Sequence, residues 1–488
     1  MRSKTHPKQA AVKIPTAIEG ACPSAKAQAF AVGPTGSEAA PPTRAEPDCT
    51  AQPRLSVPDR QQLLSAITID DLIEADHPAR AVWSYVLDLD LTPLYDRILA
   101  RGSVAGRPAI DPRLLVALSL YATLSGFTSA RELAVLCIHY DPFRWLVGGV
   151  SVNHHTLSDF RTDSPEFLEQ LLKHSVEVLR EQGLIDLDRV AQDGMRVRAS
   201  AGAASFRRRE TLETLLEEAL AEVQRLQQKL TASPADPITK QEVAAEPTPV
   251  GEPEPSRQQQ AAAMRHAEEC VEHVEQALER MAELEAEIKP DEKKEPRVST
   301  TDPQAKVMKM ADGGFRPAYN VEYSTACHGQ VVLGVDVVTV GSDQGQLPPM
   351  LDQIENRFEQ CPKEVLVDGG FSNLKDIEEV QAGKKCKVYA PVVKPKKEGV
   401  DRYEPKATDR EEVAEWRKRM GTEKAKTIYK ERAATAECVN AQARNRGMGQ
   451  FMVRGVEKVK SIATWFAIAH NMARSFALQP QPVVNDCF

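Results

Sequence analysis

Apolar positions recur at helical spacing between residues 60 and 185. Apolar runs such as LLVALSLYATLSG, at residues 114–126, are separated by short polar turns. Asp111 and Pro112 supply an N-cap and a proline at the first helical position, and Ser129 has capping-box spacing to the acid three residues later. The pattern predicts an all-α N-terminal domain over residues 57–186.

The last helix of this region, NHHTLSDFR, is polar and follows a GGVS turn. Short helices joined by tight turns are typical of a helix-turn-helix unit, in which the second helix enters a DNA groove. We therefore predict DNA contacts at His154, His155 and Arg161. A plain helical bundle with one exposed polar helix would produce the same pattern and stays the alternative.

Strand patterns begin after residue 186 and alternate with helical ones. The strand-like runs are LDRVAQDGMRVRAS, AYNVEYSTA, QVVLGVDVVTV, EVLVD and KVYAPVV. Helical patterns follow near residues 346–359, 427–447 and 455–477. This order predicts a mixed α/β sheet within residues 187–478.

Two heptad patterns interrupt that sheet, at residues 212–230 and 267–281. Six prolines lie between residues 233 and 257 and forbid a continuous helix. The pattern predicts an antiparallel coiled-coil hairpin, inserted at 207–296, with a flexible tip. Composition predicts three further segments: a disordered N-terminal tail at 1–56, a basic insertion at 394–427 and a C-terminal tail at 479–488.

The amino-acid composition limits the classes of protein to which the chain can belong. Nine cysteines are scattered without a C-x-x-C pair, which argues against a zinc ribbon or a disulfide framework. The longest apolar run is too short to cross a membrane, so we predict a cytoplasmic protein. The formal net charge of −8 speaks weakly against DNA binding. However, residues 417–460 carry twelve Lys and Arg against four Asp and Glu, which is a local nucleic-acid footprint.

Two aspartates stand on predicted strands, where aspartate is depleted. Asp193 lies inside the first strand, and Asp368 ends the EVLVD strand before two glycines. A shared site for Mg²⁺ explains both, because hard cations take oxygen ligands and serve phosphoryl transfer. The alternative is that they are unrelated turn or edge residues, since a second DGG at Asp312 is better explained as a hairpin turn.

A third motif, YKERAATAECVNAQARNRG, runs from residue 429 to 447. At about 100° per residue, Glu437 shares one helix face with Asn440 and Arg444. A carboxylate and a guanidinium on one face fit a metal ligand beside a phosphate clamp.

These stretches resemble the DDE transposases of bacterial insertion sequences, in the branch whose signature is Tyr, two residues, Arg, then Glu. The resemblance is carried by GRPAIDPRLLVALSLYATLSGFTSARELA, LDRVAQDGMRVRASAG, YNVEYSTACHGQVVLGVDV, EVLVDGGF and YKERAATAECVNAQARNRG. It implies a ribonuclease-H-like core behind the helical domain. It also implies a catalytic and metal-binding triad of Asp193, Asp368 and Glu437, with two Mg²⁺ ions for which Mn²⁺ can substitute.

The signature Tyr and Arg fall on Tyr429 and Arg432, and the distal basic residue on Arg444. Four residues separate Arg432 from Glu437, where many relatives have three. The resemblance implies cleavage at element ends, the terminal inverted repeats, followed by strand transfer of the 3′-hydroxyl into target DNA by a homodimer or higher oligomer. With Arg446, these basic residues and Tyr429 are predicted DNA contacts.

Three other functions remain open at this point. The chain could be a non-transposing DNA-binding protein derived from a transposase, or a nuclease of the ribonuclease-H fold. It could also be a coiled-coil scaffold in which the hairpin is the functional part.

Overall fold

The computed structural model describes residues 68–98, 108–232, 256–287, 295–395 and 399–479. The predicted tail at 1–56, the proline-rich hairpin tip and nearly all of the C-terminal tail lie outside these residues. Nothing in the described helices is long and apolar enough to pass through a membrane.

In the described part of the N-terminal region there are seven α-helices: α1 (Pro78–Leu87), α2 (Thr92–Asp96), α3 (Pro112–Leu124), α4 (Ala130–His139), α5 (Asp141–Val147), α6 (His154–Thr162) and α7 (Pro165–Glu181). Their starts follow the capping signals in the sequence. The side chains of Asp111, Ser129 and Asn153 each accept a hydrogen bond from a backbone N–H in the first turn of α3, α4 and α6.

The strands are β1 (Arg189–Arg198), β2 (Phe206–Arg207), β3 (Val298–Ser299), β4 (Lys306–Lys309), β5 (Phe315–Ala326), β6 (Val332–Val338), β7 (Glu364–Leu366) and β8 (Lys387–Tyr389). Six of them form one sheet in the order β4-β5-β1-β7-β8, with β6 also paired to β5. β1 is antiparallel to β5 and parallel to β7, and β7 is parallel to β8. The mixed α/β class predicted from the sequence is confirmed.

β8 is shorter than the predicted strand at 387–393. Pro391 lacks the N–H that a further ladder hydrogen bond would require, so the strand ends two residues before it. Asp312 lies in the turn between β4 and β5, where its carboxylate accepts hydrogen bonds from Gly314 N at 3.0 Å and Arg316 at 2.8 Å. The predicted hairpin-turn role of Asp312 is therefore observed.

Two long helices, α8 (Arg209–Ala232) and α9 (Arg257–Glu287), occupy the segments with the heptad pattern. They pack on each other around a small core of their own, which includes Leu212, Ala277 and Met281. The short β2-β3 ladder, with Phe206 opposite Ser299, closes this hairpin at its base. The chain thus leaves the main sheet after β1 and returns before β4.

The remaining helices are α10 (Leu347–Phe358), α11 (Leu374–Gly383), α12 (Glu411–Met420), α13 (Glu423–Arg432), α14 (Cys438–Asn445) and α15 (Val456–Leu478). A π turn at Ala433–Glu437 joins α13 to α14 without a break. We call the continuous segment 423–445 the signature helix.

The N-terminal helices and one face of the sheet share a single hydrophobic core. α15 is central to it, since it packs against α3, α6, α7 and β6. Trp465 of α15 donates from Nε1 to the carbonyl of Arg161 at 3.1 Å. The ends of α3 and the signature helix meet through backbone, because a Cβ built on Gly447 would lie 2.6 Å from the carbonyl oxygen of Gly126. A second core fills the other face of β1, β7 and β8, beneath α10, α11 and α12.

Candidate active site

Asp193 lies in β1, and Asp368 lies two residues past the end of β7, the parallel neighbour of β1. The β1-β7 ladder pairs Arg189 with Glu364 and Ala191 with Leu366. Two residues further along each chain, the same offset brings Asp193 level with Asp368. β7 has ended by then, and Asp368 caps the turn at Gly369–Phe371 by accepting from Gly370 N at 2.7 Å. The two carboxylates therefore meet where the parallel strands separate.

The side chain of Asp193 is only 18% exposed. Its Oδ2 accepts a hydrogen bond from Nδ2 of Asn440 at 3.1 Å and lies 3.5 Å from Nη1 of Arg432. Burial raises the pKa of Asp193 to about 6; Arg432 opposes this rise, and the negative charge of Asp368 adds to it. A carboxylate that costs energy to ionise on its own is one that a bound cation would stabilise.

The signature helix brings the third acid to this place. Arg432 donates from Nη2 to Oε1 of Glu437 at 2.5 Å. Glu437 is five positions after Arg432 in the chain. In a regular α-helix this spacing would put the two side chains about 140° apart around the helix axis. The π turn between them, with hydrogen bonds to the fifth residue, restores a common face. The π turn thus accommodates the additional residue between Arg432 and Glu437. Asn440, further along the helix, keeps its hydrogen bond to Asp193.

Tyr429 and Glu431 on the same helix have different surroundings. Tyr429 is half-buried beside Arg432, and burial raises the pKa of its hydroxyl. Glu431 points away from the aspartates and accepts from Nη1 of Arg189 at 2.8 Å. Arg189 also pairs with Glu364 at 2.6 Å, so Glu431 belongs to an ion-pair network at the start of β1.

The predicted DNA contacts differ widely in exposure. His154 and His155 begin α6 with their ring centroids 4.1 Å apart, and His155 is exposed. Arg444 is exposed in the last turn of α14, whereas Arg446 is half-buried and burial lowers its pKa.

Arg161 requires a correction. Its side chain is buried, and Nη1 donates to the backbone carbonyl of Thr128 at 2.8 Å. α6 is covered on this side by α4 and α15, which helix periodicity alone could not indicate. Arg161 is therefore a core residue and not a DNA contact in this structure.

Sequence reasoning missed a polar group on the opposite face of the sheet. Glu322 of β5 is 1% exposed and stands opposite Gly194. Burial raises the pKa of Glu322 well above its ordinary value, and the charge of Asp343 adds to the rise. Asn320 donates from Nδ2 to both Glu322 and Asp343 at 2.7 Å. The signal was present in AYNVEYSTA, where alternate polar residues mark one buried face.

Within the described ranges, no set of three or more Asp, Glu, His or Cys side chains is close enough to hold a metal ion. The carboxylate of Glu437 instead accepts a hydrogen bond from Arg432. Asp193 and Asp368 nevertheless provide hard oxygen donors side by side, which is the donor type that Mg²⁺ and Mn²⁺ take. The donor chemistry thus fits a divalent cation at these two residues.

Comparison with known families places these observations in context. Residues 67–163 match the family model described as Transposase domain (DUF772). Residues 372–476, which include the whole signature helix, match the model described as Transposase DDE domain. No curated protein and no solved structure matches the chain. Asp193 and Asp368 lie outside both matched ranges.

Together, the family matches and the fold define a DNA-processing enzyme. More specifically, the two matched domains support a DDE transposase of the insertion-sequence type, as the sequence resemblance predicted.

Proposed function

We propose that this transposase cleaves DNA at the ends of its element in a metal-dependent reaction and then joins the freed 3′-hydroxyl to target DNA. Asp193, Asp368 and Glu437 are the proposed catalytic carboxylates. The observation that carries the proposal is that Asp193, in β1, and Asp368, just past the end of the parallel strand β7, lie level with each other beneath the helix that carries Glu437. The strand order β6-β5-β1-β7-β8, antiparallel over its first three strands and parallel over its last three, also agrees with a ribonuclease-H-like core.

Asp193 and Asp368 would hold Mg²⁺ or Mn²⁺, two ions in the proposed complex, with Glu437 completing the site. Such ions would polarise the scissile phosphate and stabilise the attacking and leaving oxygens. Asn440 holds the Asp193 carboxylate in place by its hydrogen bond. Arg432, which now neutralises Asp193 and Glu437, is positioned to contact a phosphate when DNA enters.

Both chemical steps are in-line attacks at phosphorus, so neither needs a covalent enzyme intermediate. In the first, water forms a bond to phosphorus at the element end, and the bond to the 3′-oxygen breaks to leave a 3′-hydroxyl. In the second, that 3′-oxygen attacks a target phosphate, and the target's own 3′-oxygen leaves.

The two proposed steps require two kinds of DNA partner, the terminal inverted repeats and the target duplex. The proposed DNA contacts are Tyr429, Arg432, Arg444, Arg446, His154 and His155. A homodimer or higher oligomer would bring two ends together, and the protein would associate with the nucleoid. Concentration of positive charge near the signature helix supports these assignments.

The test uses a labelled duplex that contains the inverted repeat flanking the gene, with the full chain and MgCl₂ or MnCl₂. Asp368→Asn should bind this duplex as the wild type does but fail to cleave it. Asp312→Asn is a matched control, because Asp312 stands in the other DGG sequence but only in a hairpin turn. It should cleave normally. Cleavage by Asp368→Asn would overturn the assignment, and a wild type that binds without cleaving would favour a non-transposing DNA-binding protein.

A further inference from the structure

Asp343 lies in the loop between β6 and α10, at residues 339–346, and its carboxylate lies against two glycines that follow the catalytic aspartates in the chain. Its Oδ1 is 2.7 Å from the position of a Cβ built on Gly194. Its Oδ2 is 2.7 Å from a Cβ built on Gly370. These glycines follow Asp193 and Asp368 in the chain by one and two residues. One carboxylate therefore fills the places that two side chains would otherwise take.

The loop that carries Asp343 is fastened to the strand that carries Asp193. Arg196 of β1 donates from Nη2 to the carbonyl of Gly341 at 2.7 Å. Gln192 of β1 donates from Nε2 to the carbonyl of Gln346 at 3.2 Å. These two side chains flank Asp193 along the strand, so the loop is held at both of its ends.

The same loop is also fastened to the segment after Asp368. The amide of Gly345 donates to Oδ2 of Asp376 at 2.7 Å. Asp376 lies in α11, which follows the Asp368 turn directly, and its other oxygen accepts from Asn373 at 2.9 Å. Asp343 thus belongs to a loop that bridges the two chain segments bearing the aspartates.

The space around Gly194 is lined with oxygen atoms. Besides Asp343, Oε1 of Glu322 lies 2.6 Å and Oδ1 of Asn320 lies 3.0 Å from the Cβ position. That Asn320 oxygen is fully buried and accepts no hydrogen bond within the described part of the chain. Any side chain at position 194 would push these three groups and the Asp343 loop away from β1.

We propose that Asp343 is a positioning residue of the active site, whose carboxylate, seated between Gly194 and Gly370, fixes the separation and direction of Asp193 and Asp368. This inference rests on the proposed function. Groups that orient metal ligands without binding the metal typically contribute about 10–100-fold to metal affinity or activity. Their loss acts through small displacements of the reacting groups, which are costly in rate.

The experiment compares full-length Asp343→Asn, Gly194→Ala and the double variant with the wild type. Asp352→Asn is the control, since Asp352 is an exposed acid on α10. Binding of Mn²⁺ to the protein on a pre-cut element end is followed by calorimetry, and cleavage is measured as kcat and KM. Asp343→Asn should keep the wild-type Tm and DNA affinity, weaken Mn²⁺ binding about 10–100-fold and lower kcat with little change in KM.

Gly194→Ala should weaken Mn²⁺ binding and lower kcat in the same way, because its methyl group displaces the same carboxylate, but it should also lower the Tm because Glu322 and Asn320 must move as well. The double variant should be little worse than the poorer single variant, since both changes disturb one contact. If Gly194→Ala does not fold, the Asp343→Asn variant alone tests the positioning role of Asp343.

Three results would overturn the inference alone, given an active wild type. The first is wild-type Mn²⁺ binding and kcat in Asp343→Asn. The second is complete loss of Mn²⁺ binding, as in Asp193→Asn, which would make Asp343 a direct ligand. The third is a marked loss of Tm in Asp343→Asn, which would make Asp343 a structural residue. A wild type without Mn²⁺ binding or cleavage would overturn the proposed function, and this inference with it.

Discussion

Arg432 and Glu437 form a 2.5 Å hydrogen-bonded ion pair across one π turn. The same guanidinium lies 3.5 Å from Asp193, so one cation stands between two of the three proposed catalytic acids. The pair exists because the π turn brings residues five apart onto a common face. This arrangement leads to four mutational predictions for the signature helix, each of which can be tested separately.

Arg432→Lys should lower cleavage about 100-fold or more. An ammonium group is a single point charge and cannot serve Asp193 and Glu437 together as the planar guanidinium does. Cleavage rates on element-end duplex measure the effect. Lys430→Gln, a change at an exposed residue about two turns before Glu437, is the control and should stay close to wild type. An active Arg432→Lys protein would show that the two contacts are dispensable.

Deletion of Ala433 should convert the π turn to a regular α turn. Arg432 and Glu437 would then be four residues apart, a spacing that also places side chains on one face. Ala433 is exposed, so its loss leaves the core intact. We expect a folded protein with substantial cleavage activity.

Insertion of one alanine after Val439 is the counterpart of that deletion. It would rotate Asn440 by about 100° relative to Glu437 and remove its contact with Asp193. We expect loss of cleavage with DNA binding retained. If the deletion is inactive and the insertion active, the phase assigned to the signature helix is wrong.

Glu437→Gln should abolish cleavage and strand transfer and leave DNA binding largely intact, because Glu437 must keep its charge to act as the proposed metal ligand. Glu431→Gln should keep substantial activity. Its partner is Arg189 at the start of β1, and a partly exposed ion pair contributes about 1 kcal/mol or less. Assays on cut and uncut element ends, with variants matched for Tm, distinguish the two acids. Inactive, folded Glu431→Gln would contradict this division of roles.

Glu322→Gln should raise the Tm at neutral and alkaline pH. Because the pKa of Glu322 is raised by burial, the folded state holds a proton that the unfolded state releases above its ordinary value of 4.5. Wild-type stability therefore falls as pH rises above about 4.5, and glutamine removes that loss. Thermal melts from pH 4 to 8 should show the difference between variant and wild type growing with pH. Glu275→Gln, on the exposed face of α9, should show no such trend.

Several residues of the proposed site could be selected from the sequence because their chemistry departs from local patterns. Asp193 and Asp368 were visible as acids in strands, and Glu437 as an acid sharing a face with Asn440. Neither the π turn nor Asp343 could be predicted, for different reasons. The π turn depends on one residue in a helix whose periodicity looks continuous. Asp343 reaches the site through a loop contact between segments that are distant in the chain.

Arg161 shows the opposite limitation. The polar helix α6 after a tight turn indicated an exposed DNA-binding surface, and several residues of α6 are exposed. The face of α6 that is buried is determined by packing against α4 and α15, and α15 lies about 300 residues further along the chain. Long-range packing of this kind leaves no trace in local periodicity, so one member of the predicted contact set was wrong.

The core shared by the N-terminal helices, α15 and the sheet has a consequence for how such an element diversifies. A recognition region that folds alone can be exchanged between transposases as a cassette. Here the exchange would expose α15 and one face of the catalytic sheet, so heterologous helices would have to match dozens of buried positions at once. If α6 recognises the element ends as proposed, new end specificity would therefore arise by point substitution on its exposed surface. Lineages of this enzyme should accordingly carry their recognition and catalytic regions through evolution as one inherited block.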